Sequence, residues 1–286
     1  MTARERRRTV EKVQAAVGIS ERRAIRFTGF PRSTMRYQSV RGPQEELRAR
    51  IRAIAVERPR WGYRFIHNRL QREGWPVNRK RVQRLYREEG LAVRRKGKKR
   101  RSQSPRLVRT PLSGPNQRWS MDFVSDSLSS GRRFRCLNIV DEFNRESLAQ
   151  FPAHSIPAVR VIEVLERLRE TRGLPEVIVT DNGSEFTSHA FDAWAYARGV
   201  RHELIQPGKP VQNCFIESFN GTFRDDCLNL HWFTSLQDAA RTIEAWRRDY
   251  NTIRPHSSLN WLTPEEYGAL HQQSEDALAI NPELPL

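Results

Sequence analysis

Apolar residues recur at helical spacing between Glu45 and Gly90: Leu47, Ile51, Ile54 and Ala55 make one stripe, Phe65, Ile66 and Leu70 a second, and Val82, Leu85 and Tyr86 a third. Three short helices follow from that pattern. Pro59 with Gly62 breaks the first from the second, Gly74 with Pro76 breaks the second from the third, and Asn78 stands where an N-cap belongs. Residues 1–40 carry a further small helical piece, VEKVQAAVG followed by SERRAIRF. After Asn116 the period changes to two, and RWSMDFV, RFRCLNIVDEF and SLAQFPA read as three sequential antiparallel strands with a turn about Gly131. A helical stretch (PAVRVIEVLERLRETRG), an apolar strand (EVIVT), a helix (FDAWAYARG), a short strand (HELI) and further helices complete the chain. Strands in series followed by alternating strand and helix predict an α/β domain, a mixed sheet with helices on both faces.

From Val93 to Pro115 the chain is basic, poor in apolar residues and punctuated by Gly and Pro, as in a linker able to lie along a phosphate backbone. The expected organisation is a helical piece over 1–42, a small all-α helix-turn-helix-like unit over 43–92, a basic linker over 93–115 and the α/β domain over 116–286. Charge sharpens this division. Of the 286 residues, 50 are Lys or Arg and 33 Asp or Glu, but residues 1–110 hold 33 of the former and 9 of the latter, a net of +24, which leaves −7 for the remainder. A chain so polarised predicts an arm that grips a polyanion, joined to a body that needs added cations wherever it meets phosphate. The third helix, with Arg79, Lys80, Arg81, Arg84 and Arg87 around a thin apolar stripe, suits a helix laid against DNA.

No stretch approaches 18 consecutive apolar residues and the start lacks the apolar run of a secretory signal, so the expectation is a cytoplasmic, nucleoid-associated protein without a membrane segment. Cys136, Cys214 and Cys227 form no CxxC pair and have no His at ligand spacing, which argues against a disulfide framework and a structural zinc site.

Three acids stand out. Alternation in RWSMDFV puts Trp119, Met121 and Phe123 on one face and Ser120 and Asp122 on the other, so Asp122 interrupts a strand that belongs in the core. Asp181 ends EVIVT, where sheet proteins place their sites, and Gly183 permits a sharp turn beside it. In VQNCFIESFNGTFRDDCLN, Phe215, Ile216, Phe219 and Phe223 make a buried stripe while Asn213, Glu217, Asn220 and Arg224 share a polar one. The preceding loop QPGKP carries Lys209. Acids on three separate elements, in a chain whose other end suits phosphate, point to a site for two Mg²⁺ ions about 3.5–4 Å apart, for which Mn²⁺ substitutes. Asp126, Asp141, Glu185, Asp225 and Asp226 fit surface or capping roles better, and His256 either touches DNA or caps the last helical region.

At these residues the sequence resembles the DDE transposases of insertion sequences, and more distantly the retroviral-type integrase core. The matching pieces are WSMDFVSD, VDEFNRE, VTDNGSEF, PGKPVQNCFIESFNGTFRDDCLN and YNTIRPHSSLNWLTPEEY, with 35 residues between Asp181 and Glu217 and Arg224 seven positions after Glu217. The similarity covers about residues 45–270 and includes RWGYR, Arg60 to Arg64. It implies a ribonuclease-H-like catalytic domain, Asp122, Asp181 and Glu217 as catalytic metal ligands, and strand cleavage and strand transfer at the ends of a mobile element. Many relatives have Pro where this chain has Ser184. The expected partner is double-stranded DNA, met by Arg224, Lys209, Asn213, Asn220, Arg60, Arg64, Arg79, Lys80, Arg81, Arg84, Arg94, Arg95, Lys98 and Lys99. A homo-oligomer on DNA is expected too. So is an upstream-frame helix-turn-helix protein or fusion, because such enzymes are often made that way. Two other readings share these features: a ribonuclease-H-like nuclease that cuts without joining, and a non-catalytic DNA binder, whose cheap signal would be a missing carboxylate.

The charge division gives the first prediction. A fragment of residues 1–110 is expected to bind duplex DNA by itself and to lose affinity steeply between 50 and 200 mM salt, by orders of magnitude if about six or more phosphates are contacted. Residues 116–286 are expected to bind poorly. Equal affinity of the two fragments in a titration against labelled duplex would overturn the division.

Overall fold

The computed structural model describes residues 3–36, 42–93, 111–206 and 213–280. The chain divides into two units, Met1–Arg50 and Ile51–Leu286. The first contains helices α1 (Ala3–Val17), α2 (Glu21–Thr28) and α3 (Arg32–Arg36), and the start of α4 (Glu45–Glu57). Its core is small: Val10, Ala24 and Ile25, with Val13, Ile19, Phe30 and Met35 packed around them. Helix α2 stops at Gly29, whose φ of 68° is a left-handed conformation that glycine adopts without a Cβ clash.

In the second unit the rest of α4 is followed by α5 (Tyr63–Arg72) and α6 (Arg79–Glu88). The three apolar stripes supply buried Ile51, Ile54, Ile66, Leu70, Val82, Leu85 and Tyr86, with Trp61 and Val77 from the connections. Asn78 caps α6 by accepting the Lys80 N–H at 2.8 Å.

Five strands follow, β1 (Arg118–Ser127), β2 (Arg133–Asp141), β3 (Ser147–Ala153), β4 (Val177–Thr180) and β5 (Arg201–Leu204), in the order β3-β2-β1-β4-β5. The first three are antiparallel; β4 joins β1, and β5 joins β4, in parallel. The sheet is therefore mixed, and both faces are covered. On one face Trp119, Met121, Leu137, Ile139 and Ile178 pack against α7 (Ala158–Arg172) and α8 (His189–Ala197) through Val161, Leu165, Phe191 and Ala195. On the other, Val124, Cys136 and Val140 meet α9 (Cys214–Asp226) and α10 (Leu236–Thr252) through Ile216, Phe219, Phe223, Ile243 and Trp246. The period of two in β1 and β2 builds both faces at once. Helix α11 (Pro264–Ile280) follows.

The strand read as RFRCLNIVDEF ends earlier, at Asp141. That side chain accepts the N–H groups of Asn116 and Phe143, both at 2.8 Å, so it closes a turn and stops the ladder. The α4–α5 connection is tied to later helices: Arg58 makes a forked pair with Asp249 at 2.8 and 2.5 Å, and Arg60 donates to Asp225 at 2.6 Å.

His256 is buried, its ring edge-on to Tyr250 at 4.7 Å. Burial, with the positive charges of Arg254 and Arg145, lowers its pKa to about 3. The folded chain thus holds neutral an imidazole that the unfolded chain protonates near 6.5. The resulting stability is complete above that pH and is lost as pH falls from 6.5 toward 3, by about 2 kcal/mol at pH 5. Denaturant unfolding at pH 8 and pH 5 should show this loss in the parent and a smaller one in His256→Gln. The same pH dependence in both would remove His256 as its source.

Candidate catalytic carboxylate site

Asp122 lies in the middle of β1, on the face that meets α9. Its Oδ1 accepts the Phe123 N–H at 2.7 Å, and its Oδ2 accepts the Asn220 side-chain amide, also at 2.7 Å. Burial raises its pKa to about 6, reinforced by the negative charges of Asp181 and Glu217 and opposed by the two hydrogen bonds. The three acids chosen from sequence are thus electrostatic neighbours in the fold.

The sheet register explains the first pair. Ser120 lies beside Val179 in the parallel β1–β4 ladder, so the residues two further along, Asp122 and Asp181, come to neighbouring positions. Asp181 leaves β4 and turns at once, its Oδ1 accepting the Gly183 N–H at 3.0 Å. That turn is anchored twice. Phe186 is fully buried and stacks on Phe123 at 5.0 Å, while Glu185 pairs with Arg135, whose guanidinium lies 4.0 Å over the same Phe123 ring.

Glu217 comes from α9, which is held down by Ile216, Phe219 and Phe223. Phe219 and Phe223 meet Trp246 of α10 at 5.7 and 5.1 Å. Phe215, read as part of that stripe, is only half-buried and is covered by Arg145 at 3.8 Å. Glu217 stands on the exposed side of α9, its pKa raised by partial desolvation. Among the described residues, no group of three or more His, Cys, Asp or Glu side chains is close enough to hold a metal ion.

The other expected contacts divide into four groups. Asn220 is committed to Asp122 and to Asn138, so it holds the carboxylate instead of facing outward. Asn213 is also turned inward, only 3% exposed. Arg224 is exposed one turn past Asn220 and donates to the Ser125 carbonyl at 3.2 Å. On the helical unit, Arg64, Arg79, Lys80 and Arg81 are exposed, but Arg84 pairs with Glu88 four residues on and Arg60 with Asp225. Lys209, Arg94, Arg95, Lys98 and Lys99 lie outside the described residues. Of the other acids, Asp141 caps a buried turn, Glu185 pairs with Arg135 and Asp226 with Arg254. Sequence reasoning passed over Arg135, Asn138 and Gln150. The available signal was Asn138, an amide inside the apolar run CLNIV on the face set by alternation.

Comparison with known proteins agrees with this architecture. Models of the integrase core domain match residues 113–210 and 198–264, and a model of an HTH-like domain matches residues 43–99. An uncharacterized 31.7 kDa protein of insertion element IS407 from Burkholderia multivorans is 49% identical over 273 residues, 95% of this chain and 99% of that one. The transposase InsD of insertion element IS2D from Escherichia coli K12 is 28% identical over 244 residues, covering 81% of this chain and 80% of that one. In fold, the chain is similar to a chain of the simian T-cell lymphotropic virus intasome solved with the PP2A regulatory subunit B56 gamma. There the TM-score is 0.51 at 16% identity, over 82% of this chain and 76% of that one.

The turn after Asp181 yields a prediction. A Cβ added at Gly183 would stand 3.0 Å from Asp181 Oδ1 and 3.5 Å from Glu185 Oε2. In Gly183→Ala the Asp181 carboxylate is expected to move off the Gly183 N–H while overall stability changes by about 1 kcal/mol or less. A crystal structure of the variant with Asp181 unmoved would show that the turn tolerates the methyl group.

Proposed function

The chain belongs to the insertion-sequence transposases of the integrase-core superfamily, and on that premise we propose that it cleaves DNA at the ends of a mobile element and joins those ends to a target, with Asp122, Asp181 and Glu217 as the catalytic carboxylates. The observation that supports this reading is the meeting of the three acids: the β1–β4 register brings Asp122 beside Asp181, and Asp122, bonded among the described residues by neutral donors, lies in the field of both Asp181 and Glu217. Acids that share a field in this way favour a cation among them.

Their donor set fits the expected cofactor. Carboxylate oxygens suit hard divalent ions such as Mg²⁺ or Mn²⁺, and each Asp122 oxygen accepts one hydrogen bond, leaving capacity for a ligand bond. Asp122, Asp181 and Glu217 would hold two such ions. When bound, the ions make the attacking oxygen a better nucleophile and stabilise the departing 3′-oxygen. The chain's own contribution is positional. Phe123 N–H and Asn220 orient Asp122, Gly183 N–H orients Asp181, and α9 carries Glu217. A water molecule is the nucleophile for cleavage and the freed 3′-hydroxyl for joining, each attacking a phosphodiester with loss of a 3′-oxygen.

Double-stranded DNA is the proposed partner. The exposed Arg64, Arg79, Lys80 and Arg81 offer a basic face on the helical unit, where Arg64 donates to the Tyr63 hydroxyl at 3.3 Å. Residues 43–92 would grip the element end, 93–115 follow its backbone and 116–286 carry the reaction. Arg224, one turn beyond Asn220 on the helix that carries Glu217, would meet a phosphate near the cut end. A homo-oligomer on DNA would bring two ends and two sites together.

Asp122→Asn, Asp181→Asn and Glu217→Gln each delete a ligand with little change in volume. Each is expected to lower both nicking and strand transfer by more than the roughly 10- to 100-fold typical of outer-shell partners, with DNA affinity nearly kept. Assays on labelled element ends decide it. A variant with parental strand transfer removes that residue from the ligand set, and nicking without any joining in the parent would favour a plain nuclease.

A further inference from the structure

Three strands place a polar row across an apolar face. In the β1–β2 register Asp122 is opposite Asn138, and in the β2–β3 register Asn138 is opposite Gln150. Around that row the face is built of Val124, Cys136 and Val140. Gln150 Nε2 donates to Asn138 Oδ1 at 3.1 Å, Asn138 Nδ2 to Asn220 Oδ1 at 2.7 Å, and Asn220 Nδ2 to Asp122 Oδ2 at 2.7 Å. The Cys136 thiol donates to the same Asn138 oxygen at 3.4 Å.

The direction of this relay is forced from the carboxylate outward. An ionised Asp122 can only accept, so Asn220 must present its NH₂ and turn its oxygen toward Asn138. Asn138 must then donate to that oxygen, and its own oxygen takes donors from Gln150 and Cys136. Asn138 is fully buried, and Gln150 leaves its Oε1 buried with no hydrogen-bond partner among the described residues. Folding alone would favour a valine or leucine in a strand of this kind. Without Asn138, the Asn220 oxygen loses its donor, so the amide keeps its NH₂ toward Asp122 but is no longer held in place from its other end.

We infer that Asn138 and Gln150 are positioning residues of the reaction centre, which act through Asn220 to hold the Asp122 carboxylate in the one orientation that receives a divalent cation. This rests on the metal-dependent reading of the site. It assigns a role to two residues on strands that supply none of the three acids.

The test is Mn²⁺ binding to the full chain without DNA, followed by the loss of the free-ion electron paramagnetic resonance signal, with melting temperature as the control for folding. Asn138→Val is expected to melt close to the parent and to bind Mn²⁺ about tenfold more weakly or worse. Gln150→Met, at a half-buried edge position, should weaken binding in the same direction by less. The metal concentration for half-maximal strand transfer should rise in step, with most of the maximal rate recovered at saturating metal. Asp122→Asn separates the two ideas. If it abolishes Mn²⁺ binding while Asn138→Val binds like the parent, the relay is overturned and the metal site stands; if it binds like the parent, both fall. Should Asn138→Val fail to fold, parental Mn²⁺ affinity in Gln150→Met overturns the relay.

Discussion

A carboxylate in the middle of a central strand is the constraint around which this molecule is arranged. Asp122 sits where an apolar residue would pack, and burial pushes its proton affinity up. Two neutral donors hold it: the next N–H along its own strand and the Asn220 amide. The second donor exists only because α9 lies across the sheet. Helix α9 in turn lies there because Phe219 and Phe223 are caught between β1–β2 and the Trp246–Tyr250 edge of α10. Aromatic packing on the buried side of α9 therefore sets a hydrogen bond at the site. It also sets where Glu217 stands, one turn before Asn220.

The second acid depends on a different packing layer. Asp181 follows directly from β4, but its direction comes from the turn, and the turn is fixed by Phe186 in the core of the α7–α8 face and by the Arg135–Glu185 pair. The two aspartates are thus held from opposite sides of the sheet, with Phe123 as the element common to both supports: its N–H bonds Asp122, and its ring carries Phe186 and Arg135. Rigid positioning of this kind is what phosphoryl transfer asks of a protein, since little covalent chemistry falls to the side chains.

Charge is distributed to match. The strongly basic first part of the chain and the net acidic remainder match the division proposed above, in which one holds DNA and the other reacts with it. Part of the basic complement serves a different end. Arg58 and Arg60, at the exit of α4, are spent on Asp249 and Asp225, and Arg84 on a neighbour in its own helix. Counting cations from the sequence therefore overstates those free to meet phosphate.

The alternation that builds both faces of the sheet, the three helical stripes of residues 45–90 and the Asn78 cap are legible in the sequence, because periodicity and capping are local properties of neighbouring residues. The sequence also singled out Asp122, which breaks a core strand, and Asp181, which ends one, while Glu217 stood out by its motif and its spacing from Asp181. What it left undecided depends on residues far apart in the chain. Asn220 and Asn213 share a helical stripe with Glu217 and look alike in sequence, yet one is bonded to Asp122 and the other is buried. Asn138 and Gln150 read as polar residues in ordinary strands. Only the pairing of β1 with β2 and of β2 with β3 puts them in one row with Asp122, because register is a relation between segments that no single segment encodes.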